Sequence, residues 1–571
     1  MEELSKAHKA RIAIRTFKTT ADALALRGYY KPSGKSGQTL AEALQMLSPE
    51  IYGTLNDPRI IELKGLEYVI DRLPRGIESC TRITLTAQED LAQTSFEPIE
   101  PPRRRRISYR ISEREICFVI TRGLSEIYDV LSHLTFLNLE GIKIKNQIIN
   151  NSRDTTAEWG KLKETAMSAE QLDGEALDRA LWNLSIILGR TYQETRRTYE
   201  SLEQGRRAHG SNNGLCRIIH DLGIRAFNEE KAGEDELIIY FTPSLRDMIG
   251  HHQYSRKWAA DIKARLGDLG LMGRPLHIIS ANLHSVVNIL YGFAVDGGRH
   301  DEDLYQLCER LRENTSTIQS YARDHGFHEL PDRSGAHIDC QIIDTAALDP
   351  VPRHPAVAVQ LPAAPADWPV ILVMDYAFGT QAFEVMDELL APTPDADGAE
   401  QKLSVVSISV MGKAGTLPGR KGDIMLATAH VFEGTPHNYP VENDLSPEDF
   451  DPSVAVHVGP ILTVLGTSLQ NRDMLEKFQS TSWRAVGLEM EGGHYHRAIS
   501  AAVIRGHIPR DVRVRYAYYA SDNPLVSGQT LASGGMGAEG IRPTYMITKV
   551  ILEKILAPAP DSADVPRRGP D

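Results

Sequence analysis

The apolar positions of the chain follow one spacing in its first half and another in its second. Over residues 1 to about 230 they recur mainly at helical intervals. The stretches 20–26, 39–47 and 57–73 carry this spacing. The strongest helical stretches are 113–138 and 168–202, the second with Leu177, Leu181, Leu184 and Leu188 as a core stripe. From about Glu230 short apolar runs alternate with helical patterns. Residues 236–241 (ELIIYF) and 275–280 (PLHIIS) read as buried strands with a helix between them, and 285–291 and 301–323 as further helices. Strands are then expected at 337–343, 356–361, 370–374 (VILVM), 405–410 (VVSISV) and within the turn and strand of 419–428. A helix running to Leu390 and a polar loop at 392–400 complete this part. Near the end, 486–490 reads as a strand end, 491–504 as a helix with Tyr495, Ile499 and Ala502 on one face, and 513–520 as a strand. That strand–helix–strand order places Glu491 and Asp522 at the carboxyl ends of neighbouring parallel strands, where open α/β sheets bind ligands. The expected organisation is a mainly helical N-terminal region over 1–230, a small α/β segment over 231–334 and an α/β catalytic domain over 335–556. A Pro- and Asp-rich disordered tail is expected over 557–571.

Composition narrows the class. A chain of 571 residues is too long for one ordinary domain, and 42% hydrophobic with 24% charged residues is a globular balance. A formal charge of -13 argues against general nucleic-acid binding through bulk electrostatics. The five cysteines are scattered and form no Cys-x-x-Cys, so neither a zinc knuckle nor a disulfide framework is indicated. The first fifteen residues have early glutamates and no apolar core, unlike a signal peptide, and no run of 18 apolar residues occurs. The expectation is a cytoplasmic protein with no membrane or nucleic-acid partner.

Several apparent motifs carry little chemistry. Gly34-Lys35-Ser36 ends like a P-loop, but Gly28 is one residue too far away and the residues before it read as helix. Arg103 to Arg106 reads as a solvated linker, with a binding patch as the alternative. His133 reads as a structural histidine, and His251, His252, His277 and His284 show no metal-ligand spacing, so no metal and no cofactor are expected. Residues 535–540 match Gly-x-Gly-x-x-Gly without a preceding strand. They read as a loop, either a plain connection or a lid, ahead of a last helix at 543–556.

Four blocks together carry a resemblance. Asp375 to Ala382 is similar to a strand-to-helix glycine turn, with Gly379 and Ala382 matching. Residues 412–423 (GKAGTLPGRKGD) resemble a Gly-x-x-Gly loop followed by a Gly-Asp turn. Residues 486–491 (VGLEME) resemble an acidic Glu-Met-Glu signature, and Ser521-Asp522 a Ser-Asp signature followed by Asn523-Pro524-Leu525. In this order they resemble the nucleoside phosphorylase and nucleosidase superfamily, nearest the catalytic domain of AMP nucleosidase. The likeness covers residues 335–556, about two-fifths of the chain. It implies a three-layer αβα domain with a mixed sheet and cleavage of an N-glycosidic bond. Such cleavage passes through an oxocarbenium-like sugar, and the departing base must be protonated. The resemblance assigns Asp522 as that acid, with Ser521 beside it. It assigns Glu491 to the ribose hydroxyls, Met490 to apolar contact under the ribose, and Gly379, Gly412, Ala414 and Gly415 to close backbone approach.

Each of these positions also has a plainer reading. Asp522 suits a turn cap in Ser-Asp-Asn-Pro, and Glu489 or Glu491 suits the N-terminus of a helix. The chain also departs from the family pattern. His494 and Tyr495 are bulky where small residues are usual. Lys413 stands where phosphorylases present a serine, and the Gly-Asp-Pro-x-Arg phosphate segment is missing. These departures favour water as nucleophile, or a nucleotide whose own phosphate meets Lys413, with Asp423 as the other partner for a lysine expected to border the pocket. Asp344 and Asp349 are candidates for the base that activates water. The expected function is therefore a purine nucleoside or nucleotide hydrolase, a homo-oligomer. A non-catalytic nucleotide sensor and a purine nucleoside phosphorylase are the alternatives.

Overall fold

The computed structural model describes residues 4–88, 90–101, 103, 106–149, 155–168, 174–297, 302–359, 364, 367–394, 398, 400–526 and 537–556. The chain forms two compact units. One comprises 1–253 with 433–436 and 464–478, and the other 254–432, 437–463 and 479–571.

The first unit is mainly helical. Its helices are α1 (Lys6–Arg27), α2 (Lys35–Leu47), α3 (Leu63–Ile70), α4 (Gly123–Ile148), α5 (Ala157–Met167), α6 (Gly174–Leu188), α7 (Tyr192–His209), α8 (Leu215–Ala232) and α9 (Pro243–His251). It also holds a six-stranded sheet of β1 (Tyr29–Tyr30), β2 (Arg82–Thr86), β3 (Glu97–Pro98), β4 (Ile107–Ser112), β5 (Glu115–Val119) and β6 (Ile238–Phe241), in the order β1-β6-β2-β5-β4-β3. Residues 113–138, expected as one helix, are a strand followed by a helix. The five-residue run of β5 is buried from Ile116 onward, and periodicity alone cannot separate such a run from a buried helical turn. Gly123, at φ 67°, starts α4. The arginine run is not simply solvated. Arg106 is buried in an ion pair with Asp129, and Arg103 pairs at 3.3 Å with Asp71, while Arg104 and Arg105 lie outside the described residues. His133 is fully buried, with its Nδ1 3.1 Å from the Tyr52 hydroxyl.

The second unit is a three-layer α/β domain. Its elements in order are α10 (Gln253–Asp268), β7 (Leu276–Ser280), α11 (Ser285–Val295), α12 (Leu304–Leu311), α13 (Thr315–Arg323), β8 (Phe327–Leu330), β9 (Cys340–Asp344), β10 (Val370–Met374) and α14 (Gln381–Leu390). After the short pair β11 (Thr393–Pro394) and β12 (Glu400–Gln401) come β13 (Val405–Thr416), β14 (Ile424–Phe432), β15 (Asn438–Pro440) and β16 (Val456–Thr463). Then follow α15 (Arg472–Ser480), most of which belongs to the first unit, β17 (Gly487–Glu489), α16 (Gly492–Ile504), β18 (Arg513–Asp522) and α17 (Ile541–Leu556). The mixed sheet runs β15-β14-β16-β17-β13-β7-β10-β9-β8, and β18 bridges β13 and β14. The strands β13, β18, β14, β16 and β17 therefore close on themselves, and β7, β10, β9 and β8 extend the sheet outward from β13.

Alternation along the strands explains the layers. Ile278, Leu372, Met374, Tyr516 and Tyr518 face one side, where they pack with Ile262 of α10, Val385 and Leu389 of α14, and Ile499 of α16. Ile279, Ile371, Val373, Ala517 and Tyr519 face the other side and pack with α11, α12, α13 and α17. Strands buried on both faces read as unbroken apolar runs, which is why VILVM gives no alternating signal. Two expectations fail here. Residues 356–359 are not a strand, and 360–361 lie outside the described residues. The span 301–323 is two helices separated by a 3₁₀ turn at Arg312–Asn314, with residue 301 outside the described residues. The expected tail at 557–571 and the first two glycine-motif residues, 535 and 536, also lie outside them, whereas Ala538–Gly540 forms a 3₁₀ turn.

Candidate active site

Strand direction gathers the candidate residues. β10 and β13 both run parallel to β7, and β18 runs parallel to β13, so four carboxyl ends share one edge. Ser280, Met374 and Val410 are in register there. β13 and β18 continue beyond that level as a paired ribbon carrying Gly412, Lys413, Ala414, Gly415, Ser521 and Asp522. A bulge between Ala414 and Gly415 brings Gly415 opposite Asp522. On its other side Gly415 pairs with Leu488 of β17, which runs antiparallel to β13. The strands bearing the two acids are thus not parallel neighbours, as the sequence suggested. They run in opposite senses and flank the glycine strand, with Leu488 and Asp522 two ladder spacings apart, roughly 10 Å. Isolated strand patterns carry no information on pairing partners, which explains the error.

The two glutamates of Glu489-Met490-Glu491 do different work. Glu489 is 4% exposed and caps α16: its Oε2 accepts the amides of Glu491 and Gly492, and its Oε1 accepts the Thr463 hydroxyl at 2.7 Å. His430 Nδ1 stands 3.6 Å from Oε1. Burial alone would raise the Glu489 pKa, but His430 and these donors hold it below the ordinary carboxylate range. Glu489 is therefore the helix-terminal acid. Glu491 occupies the cap position without capping the helix through its side chain. Its Oε1 instead accepts the Gly379 amide at 2.9 Å. Gly379, at φ 54°, takes the left-handed turn between β10 and α14 that aims this amide at the carboxylate. Met490 between the two acids is buried.

Asp522 is also buried, at 3% exposed. Its Oδ1 accepts the Ser521 hydroxyl at 2.5 Å, and its Oδ2 has no hydrogen-bond partner among the described residues. Burial pushes its pKa up, against the Ser521 hydrogen bond and the charges of Lys413 and Lys421. The turn after it is capped by the next residue: Asn523 Oδ1 accepts the Leu525 amide, and its Nδ2 donates to the carbonyls of Leu417 and Gly419. Ser521 also donates to the Ala414 carbonyl at 3.3 Å, tying this pair to the glycine strand.

Other candidates sit differently than expected. Lys413 is exposed, so no buried charge requires relief there, and what survives is its position near Asp522. Asp423 is engaged with His457 at 2.9 Å and with the Arg420 amide. Asp344 pairs with Arg274 at 2.8 Å and lies opposite Val370, at the far end of β10 from Met374, so it is remote from the shared edge. Asp349 follows a 3₁₀ turn beyond that same end. Tyr495 is buried, with its hydroxyl 3.0 Å from Ser280 Oγ. Among the described residues no cluster of three His, Cys, Asp or Glu could hold a metal ion, and no helix is long and apolar enough to cross a membrane.

The chain matches a family of unknown function, DUF6909, over residues 38–319 and 302–557. The chain belongs to that family. No curated protein matches this DUF6909 member. Among solved structures, it is similar to a putative methylthioadenosine nucleosidase from Weissella paramesenteroides, at 12% identity over 50% of this chain and 100% of that one, with a TM-score of 0.29. It is also similar to futalosine hydrolase of Helicobacter pylori (14%, covering 50% and 98%, TM-score 0.26) and to uridine phosphorylase from Schistosoma mansoni (13%, covering 52% and 91%, TM-score 0.30).

Two residues at this edge of the DUF6909 member escaped the sequence reading. Tyr376, 44% exposed, lies against Gly412: a Cβ added there would meet the tyrosine ring at 3.3 Å. The glycine thus makes room for Tyr376 in this structure. Asn282, just past β7, accepts the amides of His284 and Ser285 through Oδ1, and its side chain hydrogen-bonds Tyr376. A polar or aromatic residue directly after a buried strand was the available signal for both.

Proposed function

We propose that the chain hydrolyses the N-glycosidic bond of a purine nucleoside or nucleotide, as its likeness to the AMP nucleosidase catalytic domain implies. The observation that carries this reading is Asp522: a buried carboxyl with a raised pKa and an oxygen without a partner among the described residues, set at the end of β18 beside a strand of small residues. Burial favours the protonated form of Asp522, which can give its proton to a ring nitrogen as the C1′–N bond breaks and its electrons move to the base. Glu491, held by Gly379 on the opposite side of the glycine strand, is suited to accept the ribose hydroxyls and to oppose positive charge on the sugar. Water then bonds to C1′ and gives up a proton to bulk solvent, from which Asp522 is reprotonated. Tyr376 and Met490 supply apolar surface near that path.

Lys413 and Lys421 are the charges near Asp522, and we assign Lys413 to a 5′-phosphate, which makes the substrate a nucleotide. The test is product analysis on purine nucleosides and monophosphates, with and without inorganic phosphate. Release of free base with ribose or ribose 5-phosphate is expected. Ribose 1-phosphate appearing only with added phosphate would make the protein a phosphorylase, and binding without turnover would make it a sensor.

A further inference from the structure

The N-terminal unit contains a cavity of about 820 Å³ that the proposed reaction does not use. It is built largely from one face of α8, where Arg217, Asp221, Ile224 and Arg225 follow at helical spacing, together with Arg110 and Arg114 from and beside the β4–β5 hairpin and Arg75. Three of these five arginines are paired with carboxylates, and Glu100 and Glu113 also line the cavity. Arg110 lies 3.5 Å from Glu97, Arg114 pairs with Asp235 at 2.5 Å, and Arg217 pairs with Asp221 at 2.8 Å. The two carboxylates nearest α8 are saturated further, Asp221 by His220 at 2.9 Å and Asp235 by Asn228 at 2.7 Å. Arg75 donates its Nε to the neutral Asn213 amide at 2.7 Å.

Arg225 is different. It is 4% exposed, and its Nε and Nη1 have no hydrogen-bond partner among the described residues. A buried guanidinium left without acceptors is costly, and burial holds its pKa below the usual arginine range, against the pull of Glu229 and Asp235. The unpartnered Nη1 belongs to the end-on fork of the guanidinium, whose shape matches a phosphoryl or carboxylate group, while Nε lies on another edge. The start of α8 favours the phosphoryl group. This 18-residue helix begins at Gly214 with no side-chain cap and no acid in its first turn, and Asn213 and Arg217 at that end line the cavity. An uncapped helix N-terminus adds positive potential and unfilled amide donors.

We propose that this cavity binds a phosphorylated small molecule, its phosphoryl oxygens accepting from Arg225 and Arg75. The volume lies within the range of small-molecule sites and exceeds what one phosphate ion needs. Ile224, Ile99 and Pro98 give the body of such a ligand an apolar wall.

Calorimetry on the full-length protein tests this with inorganic phosphate and pyrophosphate as probes, and with sodium chloride as the ionic-strength control. Saturable binding of at least one probe at millimolar concentration or below is expected. It should weaken at least about tenfold in Arg225→Met and in Arg75→Ala. Arg75 is exposed, so its variant remains informative if Arg225→Met fails to fold. No binding of either probe to the wild type, wild-type affinity in Arg75→Ala, or loss confined to Lys413→Ala would each overturn the proposal.

Discussion

Replacing Asp522 by Asn separates a general acid from a turn-capping residue, because the two roles predict opposite effects on stability. The side chain is 3% exposed, with one oxygen bonded to Ser521 and the other unpartnered. As the acid that protonates the leaving base, it should contribute at least about a hundredfold to turnover, or about 2.7 kcal/mol of barrier. Asn keeps the shape and can still accept from Ser521, so substrate affinity should change little. Stability should move the other way. Above its raised folded-state pKa, the wild type carries a buried, half-partnered carboxylate whose desolvation costs about 1–3 kcal/mol, and Asn removes that charge. The sign with pH follows. A group whose pKa is raised on folding favours the folded state below its unfolded pKa, about 3.9 for Asp, and loses that contribution as pH rises through the folded value. Asp522→Asn should therefore melt roughly 2 °C above wild type at pH 8, with the gap closing toward pH 4. Chromatographic assay of base release and thermal melts at both pH values measure the two effects. Near-normal turnover, or a variant less stable than wild type at pH 8, would refute the assignment.

Glu491→Gln should weaken ribosides at least about tenfold while leaving free base almost unaffected, as read by calorimetry; equal losses would make it a structural acid. Glu489→Gln should lose about 1–3 kcal/mol at neutral pH. Because its pKa is lowered on folding, its contribution is present above the unfolded value of about 4.3 and fades as pH falls through the folded one, so melting curves of mutant and wild type should converge in acid. Gly492→Ala should destabilise by about 1–3 kcal/mol in denaturant melts, since a Cβ there would come within 2.3 Å of the Tyr518 hydroxyl and 2.4 Å of the His430 ring. Lys413→Ala should cost a nucleoside monophosphate about 1.5–3 kcal/mol of binding and the nucleoside much less; equal losses would return the substrate to a nucleoside.

Much of the second unit was legible because its signals are local. VILVM, VVSISV and the helix after Glu491 are bounded by turns and fall within a few residues of β10, β13 and α16. What was not legible is what depends on partners far along the chain. Residues 275–280 read as a strand, but nothing local says that β7 stands between β13 and β10 in the large sheet. The strand β5 hid inside a helical pattern, because its four apolar residues preceding a long buried helix merge with it. Asp344 looked like a site acid because a strand end is a good position, yet antiparallel pairing with β10 turns that end away. Lys413 was expected to border a pocket because it follows a glycine; its exposure depends on how β13 projects past its neighbours.

The Glu-Met-Glu spacing shows why one acid would not suffice. A strand that leads directly into a helix leaves the first amides of that helix without acceptors, and a carboxylate nearby will take them. If Glu491 were the only acid at this junction, those amides would compete for it and hold it against the helix. Glu489, two residues earlier and buried, accepts from Glu491 and Gly492 instead. It stays ionised there because His430 and Thr463 offset its burial. With the helix end satisfied, the Glu491 carboxylate turns to the Gly379 amide, which the positive φ of that glycine presents. One acid thus stabilises the junction, and the other is positioned by a loop from a different strand. That division supports reading Glu491 as the site residue and Glu489 as the reason it can be one.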